Sequence, residues 1–134
     1  VLSPFNTRVK LEKLIKSAKQ NIKIYSLNFS DLSIKDLLKQ KSKEVDIKII
    51  FPSLDKVSNS KILLDDFKKS WIDIKHLSNP QTHAKAVLVD EKYLYIWSVN
   101  FSEYSIDKNR EVWLLISNKE VISSFLEVFE NDFN

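Results

Sequence analysis

Thr82-His83-Ala84-Lys85-Ala86-Val87-Leu88-Val89-Asp90 is the stretch on which the fold turns. Its dense Val and Leu content predicts a strand from Thr82 to Asp90, and a second strand follows from Lys92 to Trp97. On a pleated strand, His83 and Lys85 lie two residues apart and leave the same face, so one ligand can meet both. Asp90 has the opposite parity in a regular strand, which points it away from that ligand and assigns it a structural or turn-anchoring role.

Working outward, helices and strands alternate. Apolar residues at Val9, Leu11, Leu14, Ile15 and Ala18 predict a helix from Thr7 to Gln20, with Thr7 or Asn6 as N-cap after Pro4. A strand from Ile22 to Leu27, a helix from Asp31 to Lys43 and a strand from Val45 to Phe51 ended by Pro52 make a β-α-β unit. A helix from about Val57 to Lys69, a short strand from Ile72 to Lys75 and a break at Asn79-Pro80 lead into Thr82. Downstream, Glu111 to Ile116 is a strand and Lys119 to Asp132 a closing helix. The pattern specifies an α/β class: a mixed β-sheet flanked by helices, with antiparallel later strands, in one domain over residues 1–134.

The bulk properties agree with one compact unit. A 43% hydrophobic content over 134 residues is enough for a single core. The formal charge of +3 suits anionic partners without choosing between nucleic acid and membrane. There is no cysteine, hence no disulfide framework or thiolate metal site, and no apolar run approaches the roughly 18 residues of a spanning helix. The chain has no Met, so we expect a piece of a longer or processed polypeptide, which leaves room for an N-terminal partner or anchor.

A His-Lys pair on one strand is weak evidence, since a solvated strand end looks the same. Ser98 and Asn100, again two apart, and Asn109, Arg110 and Glu111 at the start of the next strand add to it. Taken singly, these are turn residues and a surface charge. Together, His83, Lys85, Asp90, Ser98 and Asn100 resemble the signature of the phospholipase D superfamily: H-x-K, four residues, D, six residues, then G-S-x-N. The likeness runs from Ser3-Pro4 through Leu11-Glu12-Lys13-Leu14-Ile15 to Asn109-Arg110-Glu111-Val112.

That resemblance implies metal-independent phosphodiester chemistry. His83 attacks phosphorus and becomes phosphohistidine, Lys85 supplies positive charge, and Asn100 and Ser98 hold the phosphoryl oxygens. Glu111 accepts from the other ring nitrogen of His83, and a second His protonates the leaving oxygen. No cofactor and no metal are expected. The one other histidine, His76, belongs to no H-x-K and is expected to be a surface or satisfied structural residue. Similar proteins take the second His from another motif-bearing half or from a homodimer partner, so this chain is expected to be half an active site. The Ser-Pro opening and Asn-Arg-Glu-Val resemble the C-terminal halves of bacterial cardiolipin synthase-like proteins. This places a phospholipid diester first, with peripheral membrane association. The alternatives are a nuclease of the single-motif homodimeric type and a non-catalytic binding or dimerisation module.

One departure stands out. The family pattern has Gly where this chain has Trp97, and similar proteins carry Gly where Trp71 and Trp113 stand, while the chain contains no glycine at all. Average usage is about 7%. Two readings stay open: tryptophan that is native, lining the core or stacking on a substrate group, or a codon that means glycine in the source and has been translated as tryptophan.

Overall fold

The computed structural model describes residues 7–26, 29–53, 65–98, 101–108 and 110–134. Within them run α1 (Thr7–Ser17), β1 (Asn21–Tyr25), α2 (Leu32–Lys41), β2 (Asp46–Pro52), β3 (Ile72–Leu77), β4 (Ala86–Val89), β5 (Tyr93–Trp97), α3 (Glu103–Asp107), β6 (Trp113–Ile116) and α4 (Lys119–Phe133). Residues 65–68 are also helical and carry the end of the helix expected from Val57, whose start lies outside the described residues.

The six strands form one sheet in the order β3-β2-β1-β4-β5-β6. β1, β2 and β3 pair in parallel, whereas β4, β5 and β6 join antiparallel, which is the mixed sheet expected. Strand parity divides the side chains. Ile22 and Ile24 of β1, Ile47, Ile49 and Phe51 of β2 and Val87 and Val89 of β4 enter the larger core with Leu11, Leu14 and Ile15 of α1 and Ile34 and Leu38 of α2. On the other face Ala86, Leu88 and Leu94 pack against Ile122 of α4, and Tyr25 and Ile50 pack against Phe129. The helices start where their caps say they should: Asp31 accepts from Ile34 N and Asn118 from Val121 N.

An ion-paired cluster ties the first layer together. Arg8 of α1 bonds both oxygens of Asp31, at 3.2 and 2.6 Å, and both oxygens of Asp107 in α3, at 3.0 and 2.7 Å. The forked guanidinium thus joins α1, the N-cap of α2 and α3. Neither this cluster nor the short helix α3 was visible in the sequence pattern, because a five-residue helix shows no periodicity.

Three expectations need correction. The strand from Thr82 to Asp90 is shorter, starting at Ala86 and ending at Val89. Ahead of it Thr82 Oγ1 accepts from Ala84 N at 3.2 Å, a local bond that draws the backbone out of the ladder. His76 does not follow β3 but lies inside it, paired in register with Phe51. The first helix stops at Ser17, three residues short of Gln20, where backbone N–H groups turn to Asp90 instead.

Candidate active site

β4 and β5 form a hairpin, and the quoted motif maps onto its two ends. At the turn, Lys92 N bonds Val89 O at 3.0 Å, and Asp90 and Glu91 both adopt positive φ, 55° and 56°. That left-handed geometry disfavours side chains with a Cβ, so both residues are held by contacts. The Asp90 carboxylate accepts from the N–H groups of Lys19, Gln20 and Asn21 at 2.7 to 3.1 Å. Glu91 accepts from the buried Lys23 Nζ at 3.0 Å. Burial pushes the Asp90 carboxyl up, but the three N–H bonds outweigh it and leave the group below its usual range.

The opposite end of the hairpin, a strand length of roughly 13 Å away, carries the remaining motif residues. His83 is exposed and Lys85 half-buried in the irregular lead-in to β4, and Lys85 O accepts from Trp97 N at 3.2 Å. That bond sets the His83–Lys85 segment beside the end of β5. Ser98 follows directly. Its Oγ donates to Glu111 Oε2 and accepts from Val112 N at 3.2 Å, while Ser98 N bonds Val112 O at 3.3 Å. Glu111 is buried, so the carboxylate and the hydroxyl orient each other. Asn100 and Asn109 lie outside the described residues. Phe101, next to Asn100, is fixed: it stacks on Phe29 with ring centroids 4.2 Å apart, and its carbonyl accepts from Ser30 N and Asp31 N.

The structure therefore brings His83, Lys85, Ser98 and Glu111 to one end of the sheet and puts Asp90 at the other. The Ser98 hydroxyl proton is committed to one oxygen of the Glu111 carboxylate, the group that the family resemblance assigns to the His83 ring. A phosphoryl oxygen that approaches Ser98 has to compete with Glu111 for it. Thr82, buried immediately before His83, is a contributor the sequence reading missed; a Thr two residues ahead of a free N–H was the available signal.

His76 is far less available. Its Nδ1 bonds Pro52 O at 2.9 Å and its ring stacks on Phe51, centroids 5.8 Å apart. By parity it leaves the α1–α2 face of the sheet with Ile72 and Ile74. His83 instead borders a groove of about 550 Å³ on the α4 face, lined by Leu94, Ile96, Val121, Phe125 and Val128 among others. Among the described residues, no three His, Cys, Asp or Glu side chains gather as a metal site would require.

The arrangement matches a known family. The family model described as "Cardiolipin synthase, PLD-like domain" matches residues 11–133. This chain belongs to that PLD-like family. Its domain superposes on the crystal structure of Nuc, a phospholipase D family member from Salmonella typhimurium, with TM-score 0.87 and 29% identity, over 99% of this chain and 91% of that one. NucT from Helicobacter pylori shares the fold, with TM-score 0.82 at 20% identity over 98% and 92% of the two chains. Human mitochondrial cardiolipin hydrolase is 34% identical over 64 residues, which span 47% of this PLD-like chain and 25% of the length of that relative. The mixed sheet with flanking helices is thus the fold of the family, and the family's chemistry is that of phosphodiesterases.

Proposed function

We propose that the chain is a metal-independent phosphodiesterase or phosphatidyltransferase half-site working through a phosphohistidine. The observation that carries the reading is the meeting of His83, Lys85, Ser98 and Glu111 at one sheet end. A ring nitrogen of His83 attacks phosphorus and the bond to the leaving oxygen breaks. That oxygen takes a proton from a second histidine supplied by another motif-bearing half. Water or an alcohol then attacks the phosphohistidine, gives its proton to the second histidine and frees His83. Lys85 and Asn100 stabilise the charge on the phosphoryl oxygens.

A phospholipid diester is the first substrate class. The matching family model and the 34% identical relative both carry cardiolipin in their names. A nucleic-acid diester is second, supported by the +3 charge and the pI near 9.0. Acid-stable quenching is unsuited to a phosphohistidine, so the test is an alkaline quench after incubation with a labelled phosphatidyl diester or a labelled oligonucleotide. Label retained on the wild-type chain and lost in His83→Ala supports the mechanism, and the substrate that labels identifies the class. No labelling by either substrate, in a sample whose dimeric state has been established, refutes it and leaves a binding module.

A further inference from the structure

Residues 82–85, which carry His83, lie outside any strand, so the sheet ladder does not fix this residue directly. Contacts on either side hold the segment. Downstream, Lys85 O accepts from Trp97 N at 3.2 Å, and across His83 itself Ala84 N donates to Thr82 Oγ1 at 3.2 Å. The upstream contact is made by a side chain. Gln81 Oε1 accepts from Ser53 N at 3.2 Å, and Gln81 Nε2 donates to Ser53 Oγ at 2.6 Å. Gln81 also pairs with Ser78 in an isolated antiparallel bridge.

A primary amide carries one acceptor oxygen and one donor nitrogen, and here both engage a single residue. Two bonds to one residue fix orientation as well as distance. Ser53 directly follows β2, and its neighbour Pro52 is held in register with Leu77 of β3. The clasp thus ties the chain two residues ahead of His83 to an anchored strand end. Such an anchor matters most to a nucleophile, which must approach its target at about 3–3.5 Å and loses about a hundredfold in rate for a misplacement of about 1 Å. Yet Gln81 is exposed and both of its bonds lie at the surface, so they add little to the stability of the whole chain. Their effect falls on local geometry.

We infer that Gln81, through its clasp on Ser53, is a positioning residue that sets the place of His83 for attack on phosphorus. The inference deepens the phosphodiesterase reading and rests on it for the attack.

Steady-state kinetics with a phosphatidyl diester and an oligonucleotide, on wild type, Gln81→Met, Ser53→Ala and the double variant, test it. Methionine keeps the length of the side chain and removes both polar atoms. Gln81→Met is expected to lower kcat about tenfold with KM within about twofold, and Ser53→Ala to lower kcat about threefold. The double variant is expected to be no slower than Gln81→Met, because both changes break the same clasp. Melting temperatures are expected to stay within about 4 °C of the wild type. If Gln81→Met does not fold, Ser53→Ala carries the test alone. An unchanged kcat, a raised KM at constant kcat, or losses that multiply in the double variant would overturn the inference; the second of these would mean that Gln81, which also lines the groove beside His83, touches substrate instead. Hydrogen exchange at the Ala84 amide reads the clasp without any substrate. It is expected to be about tenfold faster in Gln81→Met, and an unchanged rate would overturn the clasp whether or not a diester is turned over. A wild type that never turns over a diester, with exchange altered as expected, would leave the clasp standing and remove the phosphodiesterase reading.

Discussion

Trp97 and Trp113 face each other across the β5–β6 ladder with ring centroids 4.8 Å apart at 66°, and neither indole N–H has a partner among the described residues. Both rings are buried, Trp97 to 5% exposure, in the core that also holds Tyr95 and Phe101. Stacking of Trp97 on a substrate base is therefore unavailable, since no ring face is open to it. Two orphaned donors side by side are a poor use of tryptophan. This fits positions that were built for another residue, although neither has the positive φ that demands glycine.

The indole N–H groups can be removed while the ring volume is largely kept. Trp97→Phe and Trp113→Phe are expected to leave stability within about 1 kcal/mol of the parent or to raise it, because relief of an unpaired buried donor, about 1–3 kcal/mol, offsets the smaller ring. Urea denaturation measures this. A loss beyond about 3 kcal/mol for either variant would show that its N–H group is bonded after all.

Replacement of His83 separates chemistry from folding. His83→Ala is expected to lower diesterase turnover about 10⁴-fold or more with an unchanged melting temperature, since the side chain is exposed. His76→Ala is expected to do the reverse, with a loss of about 1 kcal/mol from the Pro52 bond and the Phe51 stack and turnover per folded molecule unchanged. A comparable loss of turnover in both would place the second proton donor within this chain.

Asp90 is expected to matter for stability alone. Asp90→Ala strips three backbone N–H groups of their acceptor and leaves a strained turn, for a loss of about 2 kcal/mol by chemical denaturation. Turnover per folded molecule should hold, as Asp90 sits at the far end of the hairpin from His83. If turnover falls with stability intact, the residue belongs to the site.

Acid should unfold the protein through its depressed carboxyls. Hydrogen bonds from Lys35 and Lys39 hold Asp66 at about 2, below its ordinary 3.8. In Asp31 burial pushes the carboxyl up, but bonds from Arg8 and Ile34 N leave it low. Such groups stabilise the fold fully above the unfolded value and cease to do so as pH falls through the folded one. Denaturation midpoints are expected to be flat from neutral pH to about 5 and to decline from about 4 towards 2. A decline that begins near pH 6 would point to histidine instead.

Chelation is expected to leave turnover unchanged under the proposed mechanism, in which the positive charge on the phosphoryl oxygens comes from Lys85 and not from a metal. Loss of activity on treatment with EDTA, restored by zinc or magnesium, would overturn the metal-free mechanism.

Much of this was determined by the sequence alone. Alternating periods of 3.6 and 2 placed the long helices and the sheet, because burial of an apolar stripe or face is a local pattern that tertiary contacts reinforce. The spacing of His83, Lys85, Asp90, Ser98 and Asn100 pointed to the family, since a hairpin of set length brings its two ends to fixed places. Only the tertiary structure decided the rest. A local bond to Thr82 delays the start of β4 to Ala86, and the Ser98 hydroxyl meets the Glu111 carboxylate. Arg8 bound two acids that are 23 and 99 residues away. These outcomes depend on which polar groups meet across the chain, and hydrogen bonds between distant residues leave no period to read. The exposed apolar face beside His83 is of the same kind: Ile96, Leu114, Val121 and Val128 each look like core in the sequence, and only the packing of α4 shows which of them the core leaves outside.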